Sequence, residues 1–123
     1  MAKINSFEEI ISWQKARELN REFYLLSNTN YLFSKDCGLR DQMRRSSISI
    51  SSNIAEGFER ETTKELIRFL YIAKASAGDF KSQLYLALDI KYLSDSEFEL
   101  LFSKTTDISK LISGLIKYLH STL

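Results

Sequence analysis

Arg44-Arg45-Ser46-Ser47-Ile48-Ser49-Ile50-Ser51-Ser52-Asn53-Ile54-Ala55-Glu56-Gly57-Phe58 decides how this chain folds. A run so rich in serine would ordinarily mark a loop. Ile48, Ile50, Ile54 and Ala55 nevertheless keep the helical period, and a buried serine can hydrogen-bond the preceding turn of its own helix. The run therefore predicts a helix over about 37–58, with Leu39, Met43, Ser47, Ile50, Ile54 and Phe58 on one side. Ala73, Ala75, Ser76, Ala77 and Gly78 are also small, so the spacing predicts a second helix lying against the first. Ser47 and Ala77 mark the expected contact, with axes toward the lower end of the usual range of about 8–10 Å.

Working outward, two more helices are predicted. The first covers about 7–27, with Ile10, Trp13, Ala16, Leu19, Phe23 and Leu26 recurring every three or four residues. Asn28-Thr29-Asn30 ends it, and a loop of about a dozen residues is expected, from which Tyr31, Leu32 and Phe33 fold back to plug the core. The helix holding the small residues covers about 63–93 and presents Leu66, Phe69, Leu70, Ala73, Ala77, Phe80, Leu84, Ala87 and Leu88. The last covers about 96–120, where Phe98, Leu101, Thr105, Ile108, Ile112, Leu115 and Leu119 form the cleanest heptad in the chain. Leu111 and Ile116 widen that stripe, enough to bury a second face against another subunit. A hydroxyl three residues ahead of a glutamate opens three of these segments, as Ser6 with Glu9, Thr62 with Glu65 and Ser94 with Glu97, the pattern of a capping box.

Composition agrees. The 123 residues are 44% hydrophobic and 27% charged, with no proline and four glycines, which suits one all-α domain spanning 1–123 and disfavours both disorder and an all-β fold. Seventeen Lys and Arg against 16 Asp and Glu leave a formal charge of +1, too small to define a nucleic-acid binder by itself. One cysteine, Cys37, cannot form an internal disulfide, and one histidine, His120, cannot build a Cys/His metal cluster. The stretch Met1–Ser6 lacks the apolar core of a signal peptide, and no run approaches the roughly 18 apolar residues of a membrane span, so a cytoplasmic location is expected.

Catalysis finds no footing. Nucleophilic chemistry needs a serine or cysteine beside a positioned base, and His120 stands near the last turn of the last helix. The serine run contains no nucleophile elbow, and no Glu-x-x-His pair of the di-iron kind exists. Ser113 to Leu119 offer no arginine a few residues ahead of His120, as some helical ribonucleases have. No catalytic residue, metal, cofactor, small-molecule substrate or membrane partner is expected. Arg40, Arg44 and Arg45 are more informative: three guanidiniums within two turns form a candidate phosphate-contact set, against the plainer alternative of a solvated face paired with Asp41. Lys15 and Arg17 on the first helix are weaker candidates. A ring of subunits would repeat such a patch and concentrate its field. Asn53, beside Glu56 and Gly57, is expected to hold register through a buried hydrogen bond, with Gly57 a close-packing point or a helix end.

Gln42 through Gly57 resembles the signature of the four-helix-bundle proteins encoded in intervening sequences of bacterial large-subunit (23S) ribosomal RNA genes. Phe7 with Trp13-Gln14-Lys15-Ala16 is similar to that family's opening, and Phe69-Leu70-Tyr71-Ile72-Ala73 with Gln83-Leu84-Tyr85-Leu86-Ala87 to its third helix. Departures are few: no proline follows the first helix, Asp79 and Ser82 replace the usual Glu and Thr, and Lys91 precedes Tyr92 where the family has Gly. The resemblance implies an antiparallel up-down-up-down four-helix bundle. By similarity to the accessory variability protein of diversity-generating retroelements, it also implies a homopentamer that meets RNA or a nucleic-acid enzyme through basic residues, here Arg44 and Arg45. The alternative is a scaffolding bundle that binds only protein.

Overall fold

A computed structural model describes residues 3–123; Met1 and Ala2, part of the stretch read for a signal peptide, lie outside them. Among the described residues there are five α-helices, one 3-10 turn and no strand. A 3-10 turn at Phe7–Glu9 leads to α1 (Ile11–Thr29), the short α2 (Tyr31–Lys35), α3 (Cys37–Glu59), α4 (Thr63–Asp89) and α5 (Asp95–Ser121). Around the core the long helices follow the order α1, α3, α4, α5, and α5 returns to α1.

Helix ends follow from local chemistry. Ser94 forms a complete capping box: its Oγ accepts from the Glu97 amide at 3.1 Å, and the Glu97 carboxylate accepts from the Ser94 amide at 2.9 Å. Thr62 caps α4 through the Glu65 amide, while the Glu65 carboxylate turns to Arg68 at 2.7 Å. Ser6 does not cap α1. Ile10 instead adopts an extended conformation that buries its side chain, and α1 begins only after it. The dozen-residue loop expected after α1 is largely helical, because Asn30 Oδ1 accepts from the Phe33 amide and starts α2. Phe33 plugs the core from that helix, whereas Tyr31 and Leu32 stay exposed. Helix α4 stops at Asp89, four residues short of the expected end. Lys91 sits in the left-handed region at φ 65°, and the amides of Lys91 and Tyr92 bond back to Leu88 and Ala87 in a Schellman turn. Only glycine adopts that conformation at no steric cost, so a lysine here carries backbone strain.

The core is a contiguous cluster drawn from all four long helices and Phe33. Phe23 lies edge to face with both Phe33 and Phe80, at centroid distances of 5.5 and 5.2 Å, the arrangement aromatic quadrupoles prefer. Ile116 belongs to this core at 5% exposure, so it does not widen an outer face of α5 as expected; Leu111 does, at 38%.

Helix α3 packs on both neighbours through small side chains. Toward α4, Ser46 Oγ donates to Gln83 Oε1 at 2.6 Å and Ser49 meets Ser76 at 2.8 Å. Toward α1, Ser47 Oγ donates to Asn20 Oδ1 at 2.6 Å, and Asn20 Nδ2 donates to Ser51 Oγ at 2.9 Å. Ser47 therefore points to α1, not across to Ala77, although both are buried and the two segments do lie on packed helices. Gly57 lies inside α3, where a Cβ would stand 2.5 Å from Phe69 Cβ and 3.4 Å from the Leu66 backbone. It is a close-packing point, not a helix end.

The glycines give opposite predictions. Gly57→Ala should lower unfolding stability by about 1–3 kcal/mol through overpacking, despite alanine's better helix propensity. Gly78→Ala, at a mid-α4 position with no atom within 4 Å of the added carbon, should raise it by about 0.5–1 kcal/mol. Urea midpoints of the two variants check both signs.

Candidate nucleic-acid interface

The start of α3 positions the arginines. Asp36 caps the helix by accepting from the Leu39 amide at 3.0 Å, and its other oxygen accepts from Tyr92 Oη at 2.9 Å. Asn30 Nδ2 donates to the Tyr92 carbonyl at 2.8 Å, so α2, α3 and the α4–α5 turn are tied together at this end. The Leu39 amide first, then the Tyr92 hydroxyl, hold the Asp36 carboxyl below its ordinary value of 3.8. The same carboxylate holds the Tyr92 phenol above its ordinary value of 10.0.

Arg40 and Arg44 are engaged within the chain. Arg40 Nη1 donates to the Ser34 carbonyl at 2.9 Å and its Nε to Asp41 at 3.0 Å, and the Asp41 carboxylate raises the already high pKa of the guanidinium. Arg44 Nε donates to Ser27 Oγ at 3.0 Å and Nη2 to Asn28 Oδ1 at 2.7 Å, with the guanidinium 4.3 Å over the Tyr24 ring. These two side chains fasten the start of α3 to α2 and to the end of α1. Arg45 is exposed and makes no hydrogen bond or ion pair among the described residues. Of the three guanidiniums, it alone is open to a phosphate.

Lys15 pairs with Glu18 at 3.8 Å, and Arg17 lies 5.8 Å from the Trp13 ring. Both sit ten or more residues before Ser27 on α1, about 15 Å along its axis, so the structure does not bring them to the arginines. Asn53 Nδ2 donates to the carbonyl and hydroxyl of Ser49, one turn back in its own helix, at 2.8 and 2.9 Å. Asn20 instead bridges α1 to two serines of α3, which the sequence reading missed; its position at the edge of the α1 stripe was the only signal. Glu56 pairs with Arg60 at 3.3 Å near the end of α3.

Cys37 and His120 are exposed on separate helices. Among the described residues no group of three His, Cys, Asp or Glu side chains could hold a metal, and no helix is long and apolar enough to cross a membrane. Two of the hollows on the surface lie beside α5. One, about 780 Å³, runs between the start of α1 and α5 and is lined by Ile4, Ile10, Ile11, Leu111, Leu115 and Tyr118, with Lys15 and Lys110 at its edge. The other lies between α4 and α5.

An all-helical chain with a serine-lined third helix and no metal-binding cluster among its described residues is the class these features define. Residues 8–114 match the model of the 23S rRNA-intervening sequence protein family, and the chain belongs to that family. A crystal structure of a protein of unknown function from the S23 ribosomal protein family of Bacteroides thetaiotaomicron is similar, with a TM-score of 0.81 at 25% identity, covering 87% of this chain and 96% of that one. A comparison with curated proteins finds no match.

Arg44→Ala should lower stability by about 1–2 kcal/mol, since it leaves Ser27 and Asn28 without their charged donor. Arg45→Ala should stay within about 0.5 kcal/mol of the parent. Thermal unfolding of the two variants checks the contrast. The Asp36–Tyr92 clamp also predicts a pH window. A depressed carboxyl stabilises the fold above its unfolded value, near 3.8, and the benefit is lost as pH falls through the folded value. A raised phenol stabilises below its unfolded value, near 10.0, and the benefit is lost as pH rises through the folded one. Tyr92→Phe should therefore move the acid unfolding midpoint to higher pH, read by circular dichroism.

Proposed function

We propose that this chain is a non-enzymatic, cytoplasmic, antiparallel up-down-up-down four-helix bundle that assembles into a homopentameric ring and presents basic side chains to structured RNA or to an enzyme acting on nucleic acid. Paired residue numbers support the antiparallel order. Along α1 and α3, Asn28 meets Arg44 while Asn20 meets Ser47 and Ser51; along α3 and α4, Ser46 meets Gln83 while Ser49 meets Ser76.

One observation carries the ring: two unlike apolar surfaces lie on opposite edges of the helix circuit. The groove of Ile4, Ile11, Leu111 and Tyr118 occupies the α1–α5 edge. Ile72 and Leu86 share one face of α4, with Ile90 just past its end, and the three are 38–48% exposed; Ile72 and Leu86 project on the α3 side of α4, where Ser76 and Gln83 meet α3. A head-to-tail contact between a ridge and a groove repeats from copy to copy and makes a ring where the rotation closes, whereas a two-fold dimer would need like to meet like. The number five rests on similarity to the accessory variability protein of diversity-generating retroelements. Contact with RNA rests on membership of the 23S rRNA-intervening sequence family and on the exposed Arg45, repeated in each subunit. Internal engagement of Arg40 and Arg44 favours the second reading, a scaffolding bundle that binds protein alone.

Light scattering should give about five times the 14.3 kDa chain mass, and Leu86→Asp or Leu111→Asp should reduce it to that of one chain. A monomeric parent protein would overturn the ring. RNA affinity should fall with salt by about 0.7–0.9 log units per log unit for each neutralised phosphate, and Arg45→Ala should weaken it in every subunit at once. A flat salt titration would leave the scaffolding reading.

A further inference from the structure

The seam between α4 and α5, away from Arg44, opens into a cleft of about 300 Å³ lined by Tyr71, Lys74, Ser113, Ile116, Lys117 and His120. Every polar side chain in that set can donate a hydrogen bond, and none is a carboxylate. Neither lysine makes an ion pair among the described residues. Lys117 and His120 near the end of α5 would suit the negative pole of that helix whatever else they did. Lys74 has no such role, because it stands in the middle of α4.

Tyr71, Lys74, Lys81 and Tyr85 recur on one face of α4, and the farther pair repeats the same chemistry. Lys81 Nζ lies 4.5 Å over the Phe102 ring, and Tyr85 packs against Phe98 and Phe102 at 5.1 and 5.4 Å. Two stations of ammonium and aromatic ring thus stand about 10 Å apart along one seam, given the rise of a helix. Ammoniums suit phosphate oxygens, and a half-exposed tyrosine ring suits the face of a base. A duplex hides those base faces in its own stack, whereas loops and single strands offer them.

We propose that the α4–α5 seam binds an unpaired stretch of RNA, with Lys74, Lys117 and His120 on phosphate oxygens and Tyr71 stacked on a base. The proposal rests on the RNA-binding reading above and names the surface that carries it, distinct from the arginine end of α3. Fluorescence anisotropy of a labelled single-stranded oligouridylate and of a blunt RNA duplex, titrated over a range of salt, tests it. The single strand should bind more tightly. The double variant Lys74→Ala with Lys117→Ala should flatten the salt slope by about 0.7 for each lysine removed. Tyr71→Ala should weaken binding about five- to a hundredfold. Lys35→Ala with Lys64→Ala, elsewhere on the surface, should change little. Lys74→Glu, a single exposed substitution, gives an independent check on any variant that folds poorly. Full binding by the double variant, or an equal loss in the Lys35 and Lys64 control, would overturn the seam while leaving the RNA-binding reading standing. No binding by the parent protein would overturn both.

Discussion

The close seat of α3 between α1 and α4 is the constraint on which the rest depends. Hydroxyls of Ser46, Ser47, Ser49 and Ser51 line its two flanks, and each finds a partner on a neighbouring helix. Small side chains let backbones approach, and polar ones make that approach specific, because a slip of one residue would strand buried hydroxyls without partners. At Gly57 the α3 backbone meets Phe69 with no room for a methyl group. Bulk excluded from these seams reappears at the centre and one end, where Phe23, Phe33 and Phe80 interlock and Tyr92 closes over Phe33.

That end of the molecule engages two of the three arginines within the chain. Arg40 and Arg44 tie α3 to the preceding helices in the place where Asp36, Asn30 and Tyr92 already join three segments. Arg40 would give up a carbonyl and a carboxylate on meeting a phosphate, and Arg44 a hydroxyl, an amide oxygen and the ring beneath it. Open cationic chemistry lies elsewhere, at Arg45 and along the α4–α5 seam. The apolar ridge on α4 and the groove beside α5 occupy the two remaining edges, so the proposed assembly and the proposed RNA contact use different side chains.

Much of this was legible along the chain. Periodicity placed four long helices within a few residues of their observed positions, and Ala16, Leu19, Phe23, Ile50, Ile54, Ala73, Ala77, Ile108 and Ile112 are buried as their spacing predicts. Misjudged ends have local causes. Ile10 breaks from the helix to bury itself, and Lys91 in the left-handed region stops α4 early. The candidate site was less legible, since adjacency in sequence placed Arg40, Arg44 and Arg45 together, and only their partners reveal which one is free. Lys74 and Lys117 are 43 residues apart, so no motif could pair them.

Sequence alone determined the helical class, the unusual slenderness of the third helix and the family, because these follow from composition, short-range period and a contiguous motif. Tertiary structure alone decided that Asn20 bridges the serines, that Ile116 is core while Leu111 is surface, and that donors from two helices converge on one cleft. Those outcomes depend on which faces meet across the core, and residues distant in the chain carry no record of their distance in space.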